Sequence, residues 1–294
     1  INTVKNDLFG VLTINGGNFS NTAQYVIMNW NKAEITAGTF QTLDTVSAVL
    51  FTSAFGSNAN YVGKLTISGG EFKHASDTQE MIVDHYDESN KGNAVVTGGK
   101  FDADISKYIP TDYVQSADGT VEKLGETNAV AKVGGTYYKT LADAVAAVQN
   151  GDTITLLKDV DLGNTVTVAN KTVTLNMAGK TIYNTKDLWD SKLNAWSLIS
   201  VRENGNLTIT GDGTLKAKAD DCYALDTQEG SAKLTVENGT VIGNISAIYA
   251  FLGEVTINGG SYSIQQLNTN NVQDGYGLTI NCYDQNYKEK TAKI

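Results

Sequence analysis

One phrase of eight residues recurs along the chain. LTINGGNF (12–19) returns as AEITAGTF (33–40), LTISGGEF (65–72), AVVTGGKF (94–101), LTVENGTV (234–241) and VTINGGSY (255–262). The copies align on a glycine two residues before the last position: Gly17, Gly38, Gly70, Gly99, Gly239 and Gly260. These glycines are 21, 32 and 29 residues apart in the first group and 21 apart in the second. The base period is therefore 21 residues with insertions, and a period of this size indicates a repeat architecture.

Each copy alternates apolar and polar residues before its glycine. The residues five and three positions before it are apolar in every copy, for example Leu65 and Ile67, whereas the residue between them, such as Thr66, is mostly polar. This alternation is typical of a strand with one buried face. Another apolar column follows two residues after the glycine: Phe19, Phe40, Phe72, Phe101, Val241 and Tyr262. We expect the four phenylalanines to stack inward.

A unit of this length cannot bury its own apolar face, so neighbouring units must stack. A seventh copy, LTITGDGTL (207–215), fits the columns if its Gly-Asp-Gly holds one extra residue, as in a bulge. The columns predict an all-β solenoid in which each coil adds one rung, about 4.8 Å high, to parallel sheets. An ordinary β-sandwich is the alternative; it explains the alternation but not columns aligned at one offset.

One segment breaks the β pattern. TLADAVAAVQNG (140–151) places Leu141, Val145 and Val148 on one face, with Thr140 as N-cap and Asp143 three residues later. These features predict a short amphipathic helix near 140–150. Such a helix can cover the exposed end of a solenoid, so it marks the start of a second body.

The chain therefore divides into two expected modules. Upstream of the helix, Ala-Asp-Gly at 117–119 lies between YVQ and TVEKL and predicts a hairpin that closes the first body. We expect 1–126 to be the C-terminal part of a first β-helix module and 129–294 to be a second module, truncated at its C-terminal end. Strand patterns at both chain ends indicate a fragment of a tandem array, or copies that associate head to tail.

A resemblance to a known family follows from these residues. YKTLADAVAAVQNGDTITLLKDVDL (138–162), followed by coils that end in Gly-Gly-x-aromatic, resembles the right-handed parallel β-helix of the pectate-lyase-like superfamily. The likeness is greatest to modular versions in large surface or secreted proteins of gut bacteria. It implies a right-handed solenoid with variable loops and an extracellular or cell-surface location, but no particular activity.

The charge balance excludes several partners. The chain has 32 acidic and 22 basic residues, a net charge of −10, and a single arginine, Arg202. This gives no electrostatic footprint for nucleic acid and little means of clamping an anion. There is no run of about eighteen apolar residues, so membrane insertion is not expected.

Candidate catalytic and metal-binding residues are few. Calcium-dependent lyases that resemble this superfamily use clustered Asp and Glu residues together with a basic residue. Hydrolases that resemble it combine several Asp residues with a His and an Arg-x-Lys. The chain departs from both patterns. Asp220 and Asp221 could form a carboxylate pair, and Asp84, His85 and Asp87 a weak metal site. The other histidine, His74, lies near a loop, and Arg202 beside a turn. We expect no catalytic residue, no metal and no cofactor.

Binding residues are expected in the insertions that lengthen the period, because loops on a rigid scaffold commonly carry recognition. The candidates are aromatic residues that could stack on sugar rings: Trp30, Phe55, Tyr61, Trp189 and Trp196. The alternative is that these side chains only pack on the coil beneath. The spacing of Leu188, Lys192, Leu193 and Trp196 is nearly helical, which favours a short helical lid over 188–196.

Three functions remain open at this point. The leading one is a non-enzymatic adhesin or stalk module, at the cell surface or secreted, that presents loops to a glycan or a host protein. The second is a polysaccharide lyase or glycoside hydrolase on the same fold. The third is a structural spacer or a subunit of a head-to-tail filament.

Overall fold

The computed structural model of the chain describes residues 10–43, 45, 47–54, 62–76, 79–85, 91–266 and 278–282. The chain forms two compact units, Ile1–Leu124 and Gly125–Ile294. Each unit has a hydrophobic core of its own. The prediction of an all-β chain with parallel sheets is confirmed for both.

The first unit contains a six-stranded sheet and a three-stranded sheet. The larger sheet begins with four parallel strands: β1 Val11–Asn21, β3 Lys32–Thr42, β5 Lys64–Lys73 and β7 Asn93–Phe101. It continues through an antiparallel hairpin, which confirms the predicted turn at 117–119: β8 Tyr113–Gln115 and β9 Thr120–Lys123. The smaller sheet is parallel: β2 Ile27–Asn29, β4 Leu50–Thr52 and β6 Ile82–Val83. A 3-10 turn covers Ser106–Tyr108.

The register of the larger sheet confirms the aligned columns. The four phenylalanines pair in sequence from β1 to β7. Their rings stack nearly parallel, with centroids 4.9, 4.8 and 4.5 Å apart from Phe19 through Phe40 and Phe72 to Phe101. Phe40, Phe72 and Phe101 are buried. The repeated aromatic therefore builds one continuous stack through the core of the unit.

The paired glycines are explained by close approach between neighbouring coils. Gly70 has φ +109°, and a Cβ there would lie 3.1 Å from the backbone oxygen of Gly38. At Gly69, a Cβ would come within 2.1 Å of the Thr36 oxygen, a distance that only movement of the backbone could relieve. The turn thus requires a left-handed residue at one position and the absence of a side chain at the other.

The described residues of the second unit form three sheets. A seven-stranded sheet starts with antiparallel strands and continues in parallel: β11 Thr136–Tyr138, β10 Ala131–Val133, β12 Thr153–Leu156, β15 Thr172–Asn176, β18 Asn206–Thr210, β21 Lys233–Val236 and β24 Glu254–Ile257. The first five-stranded sheet is parallel: β13 Val160–Asp161, β16 Thr181–Tyr183, β19 Thr214–Lys216, β22 Thr240–Gly243 and β25 Ser261–Ile264. The second is parallel too: β14 Val166–Ala169, β17 Ser197–Arg202, β20 Tyr223–Thr227, β23 Ile248–Ala250 and β26 Ile280–Cys282.

Consecutive strands of the second unit enter these three sheets in rotation. From β12 to β23, each strand pairs with the strand three places later in the chain. Like residues again stack in columns, as Val173, Leu207, Leu234 and Val255 do in the seven-stranded sheet. The seventh copy takes its predicted place, because Leu215 pairs with Val241.

The predicted helix is confirmed as α1, Leu141–Ala147. The Thr140 hydroxyl accepts a hydrogen bond from the backbone N–H of Asp143 (3.0 Å), as expected of an N-cap. Leu141, Val145 and Val148 are buried in the core of the unit. The helix is shorter than predicted because Val148 leaves the helical conformation, with ψ 139°. Within the described residues, the chain has no helix long and apolar enough to cross a membrane.

Replacing the central ring of the phenylalanine stack should be costly. Phe72→Ala removes a fully buried ring that stacks on Phe40 and Phe101. We expect the free energy of unfolding to fall by about 3–5 kcal/mol, as for other buried aromatics. Chemical denaturation measures this, with Thr66→Ala on the exposed face of the same strand as control. An unchanged midpoint for Phe72→Ala would contradict the packing.

Candidate aromatic cleft

A cavity of about 420 Å³ opens on the second unit. Five aromatic side chains line it: Trp189, Trp196, Tyr223, Tyr249 and Phe251. Three polar side chains complete the wall: Asn194, Gln228 and Glu229. Small-molecule sites commonly have volumes of about 300–1,000 Å³ and combine apolar walls with a few polar groups. We call this cavity the aromatic cleft.

The aromatic rings form a continuous series. Trp189 meets Trp196 edge-on at 4.6 Å between centroids and Tyr223 at 5.4 Å. Tyr223 contacts Tyr249 at 4.7 Å, and Tyr249 stacks on Phe251 at 5.8 Å. Trp189 is still 40% exposed, so its surface is available to a ligand.

Of the predicted binding residues that the structure describes, two lie together. Trp189 and Trp196 lie in the aromatic cleft. Trp30 belongs to the first unit, where it is half-buried and packs against Phe51 with ring centroids 5.1 Å apart. Phe55 and Tyr61 lie outside the described residues.

The segment that carries both cleft tryptophans is a turn, so the helical lid predicted over 188–196 is wrong. Asp190 and Ala195 exchange two backbone hydrogen bonds of 2.9 Å. The Asp190 carboxylate also accepts from the N–H groups of Lys192 (2.8 Å) and Leu193 (3.3 Å). An aspartate that binds backbone donors just after itself favours a turn over a helix.

Asp221 attaches this segment to the sheet. Its Oδ2 accepts from the Leu188 N–H (2.9 Å) and from Asn184 Nδ2 (2.7 Å). Its Oδ1 accepts from the Trp189 N–H (3.0 Å). Asp221 is buried, and these three hydrogen bonds satisfy its carboxylate. Its role is therefore to position Trp189, not to form a catalytic pair with Asp220.

Arg202, which lies at the end of β17 beside a turn, has a similar role. Its Nε donates to Ser200 Oγ (2.8 Å), and its Nη2 donates to the backbone oxygen of Asn194. The guanidinium thus connects strand β17 to the turn that carries Trp196. The only arginine of the chain is used to hold the wall of the cleft.

A directional chain of hydrogen bonds runs from the cleft wall into the sheet. Trp196 Nε1 donates to Asn194 Oδ1 (2.7 Å), and Asn194 Nδ2 donates to Gln228 Oε1 (3.0 Å). Gln228 Nε2 then donates to Asp226 Oδ2 (2.8 Å). Because an indole N–H can only donate, it sets the orientation of both amides. Asp226 Oδ2 is therefore an acceptor, and a proton on this carboxyl group would reside on Oδ1.

Asp226 is a fully buried carboxyl group on the sheet face that carries Tyr249, its register partner. Its Oδ1 has no hydrogen-bond partner among the described residues. Burial penalises the charged form and raises the pKa of Asp226 above its ordinary value of 3.8. The Ser200 hydroxyl, the Gln228 amide and the Arg202 charge oppose that shift. Burial therefore favours the protonated form of Asp226 beside the cleft.

The other titratable candidates pair locally. His74 Nδ1 lies 2.7 Å from Asp102 Oδ1, and His85 Nδ1 lies 2.7 Å from Asp84 Oδ1. Asp84 also binds Lys107, and its pKa is lowered by hydrogen bonds from His85 and Lys107 despite the opposing effect of burial. Asp87 lies outside the described residues. No group of three His, Cys, Asp or Glu side chains that could hold a metal occurs in the described part of the chain.

Sequence reasoning missed Tyr223, Tyr249 and Phe251. Tyr223 and Tyr249 each lie ten residues after a column glycine, Gly213 and Gly239 respectively. This equal offset would pair the two tyrosines, whereas the register pairs Tyr249 with Asp226, so the repeat alone does not place them correctly. No protein-family model, curated protein or solved structure matches this chain.

Removal of the Asp221 carboxylate should loosen the cleft wall. Asp221→Ala leaves the N–H groups of Leu188 and Trp189 without their acceptor. We expect the free energy of unfolding to fall by about 1–3 kcal/mol, with a red-shifted tryptophan emission. Asp187→Ala is the control, because Asp187 is 72% exposed and forms a surface ion pair with Lys218. An equal effect of both substitutions would contradict the role of Asp221.

The pH dependence of the protein's stability should reveal the raised pKa of Asp226. A folded-state pKa above the unfolded value means that the folded protein holds this proton more tightly, so stability falls as pH rises above 3.8. Asp226→Asn removes this titration and keeps an acceptor for Gln228. Its stability relative to the natural protein should therefore increase as the pH rises from about 4 into the neutral range. Denaturation across this range tests it, and a constant difference would refute the shift.

Proposed function

We propose that both units are right-handed parallel β-helices like those of the pectate-lyase-like superfamily. The rotation of strands through three sheets in the second unit supports this proposal. The in-register parallel pairing of equivalent coils supports it in both units. In this fold, α1 would close one end of the second solenoid, because its apolar face packs into the core beside the first strands.

We further propose that the protein is a non-enzymatic glycan-binding module, at the cell surface or secreted. The observation that carries this is the aromatic cleft, in which five rings and three polar side chains surround one cavity. The apolar face of a sugar ring can pack on aromatic side chains, while its hydroxyl groups bond to amides and carboxylates. The extracellular setting rests on the family resemblance.

The size of the cleft favours a glycan over a host protein as partner. A stable protein interface buries about 1,600 Å² in total and needs a broad surface. A cavity of about 420 Å³ suits one or two sugar rings instead. The rigid sheet beneath also limits the loss of side-chain entropy on binding, because Tyr223 is on β20 and Tyr249 is on β23.

A second candidate is glycoside hydrolysis, which one observation favours. Asp226 is an acid with a raised pKa, as a general acid in such enzymes requires, and Glu229 lies in the neighbouring cleft wall. However, Asp226 is fully buried, and Gln228 is bonded to its Oδ2. Since a general acid must reach the bond that it protonates, the arrangement supports binding better than catalysis.

Glycan binding can be tested with a panel of soluble cello-, xylo-, manno- and chito-oligosaccharides. We expect at least one to bind, measured by calorimetry and by the tryptophan emission. Trp189→Ala should weaken binding by at least about tenfold, or about 1.4 kcal/mol. Trp189→Phe should retain most of the affinity, because it keeps an aromatic face.

Trp30→Ala is the matched control, since Trp30 is a half-buried tryptophan of the other unit. It should leave binding unchanged. Equal losses in Trp30→Ala and Trp189→Ala would contradict a site in the cleft, and a panel without any bound glycan would contradict the proposed function. Products released from the oligosaccharides would instead favour hydrolysis.

A further inference from the structure

The aromatic cleft offers a defined set of hydrogen-bonding groups. The oxygens of Asn194 and Gln228 already accept from Trp196 and from Asn194, respectively. Each amide nitrogen carries two N–H groups, of which one is used. The second N–H of each amide has no partner within the described residues and belongs to a side chain of the cleft wall. The two amides therefore present donors to a ligand.

Glu229 supplies the complementary acceptor. Its Oε2 accepts a hydrogen bond from the Glu203 N–H (3.1 Å), which fixes the side chain at the cleft wall. Its other oxygen can accept from a ligand. One wall thus combines amide N–H donors, a carboxylate acceptor and aromatic faces.

An acetamido group matches this combination in all three parts. Its carbonyl accepts from an amide N–H, its own N–H donates to a carboxylate, and its methyl group packs on an aromatic face. On the basis of the glycan binding proposed above, we propose that the aromatic cleft selects 2-acetamido sugars through Asn194, Gln228 and Glu229.

Sugars with other substituents at C2 fit less well. A hydroxyl group has no methyl group to bury, and it cannot span donors and acceptor at once. A protonated amine would be attracted by Glu229 and by the rings, but it offers no acceptor to the amide N–H groups. A uronic acid would meet the Glu229 carboxylate in a chain of net charge −10, and like charges repel.

Three disaccharides with one β-1,4 backbone test the proposal. N,N′-diacetylchitobiose, cellobiose and deacetylated chitobiose differ at C2 alone. We expect calorimetry to give the acetylated form a Kd at least about tenfold lower than either of the others. Equal or tighter binding of cellobiose or of the amine would overturn the selectivity while glycan binding stands. Failure of all three and of the wider panel would remove the proposed function itself.

Variants of the acceptor provide a second, independent readout. Glu229 is exposed, so Glu229→Ala should fold normally and lose the bond to the acetamido N–H. We expect it to weaken the binding of N,N′-diacetylchitobiose several-fold, because one hydrogen bond is lost, and to reduce the ratio between its affinity and that of cellobiose. Glu237→Ala, at an exposed glutamate outside the cleft, is the matched control. An unchanged ratio between the two disaccharides in Glu229→Ala would overturn the role of Glu229.

Discussion

Parallel pairing of equivalent residues in neighbouring coils is the constraint on which the rest of this structure depends. It places each side chain directly on its counterpart, so Phe72 stacks between Phe40 and Phe101. It also brings the backbones of successive turns so close that a side chain at Gly69 would collide with the Thr36 oxygen. Few sequences allow a coil both to stack its apolar side chains on those of its neighbours and to accommodate this close backbone approach. The recurring phrase is therefore a packing requirement, repeated once per coil.

This requirement leaves recognition to the segments between the repeats. The segment between β16 and β17 is tied to the sheet by Asp221 and by Arg202. Those bonds hold Trp189 and Trp196 beside tyrosines that the register has already placed in adjacent strands. The cleft thus combines an insertion between strands with side chains of the parallel sheet. Its chain of hydrogen bonds ends at the Asp226 carboxyl group, which belongs to that sheet.

The sequence predicts what depends on local pattern. The apolar columns, the hairpin around 117–119 and the helix capped by Thr140 all follow from spacing and turn chemistry. The cleft could not be predicted in the same way, because its bonds join distant residues, such as Asp221 with Trp189 and Asn194 with Gln228. The helical lid failed for a local reason that could have been noticed, since Asp190 binds the donors that follow it.

In the function that we propose, the Trp196 indole orients two amides so that the aromatic cleft recognises an acetamido group. The most direct measurement is a crystal structure of the protein with N,N′-diacetylchitobiose. The acetamido oxygen should lie within hydrogen-bonding distance of Asn194 Nδ2 or Gln228 Nε2, with the acetamido methyl group against the rings of the cleft. An acetamido group that points to solvent, or a sugar bound elsewhere, would contradict it.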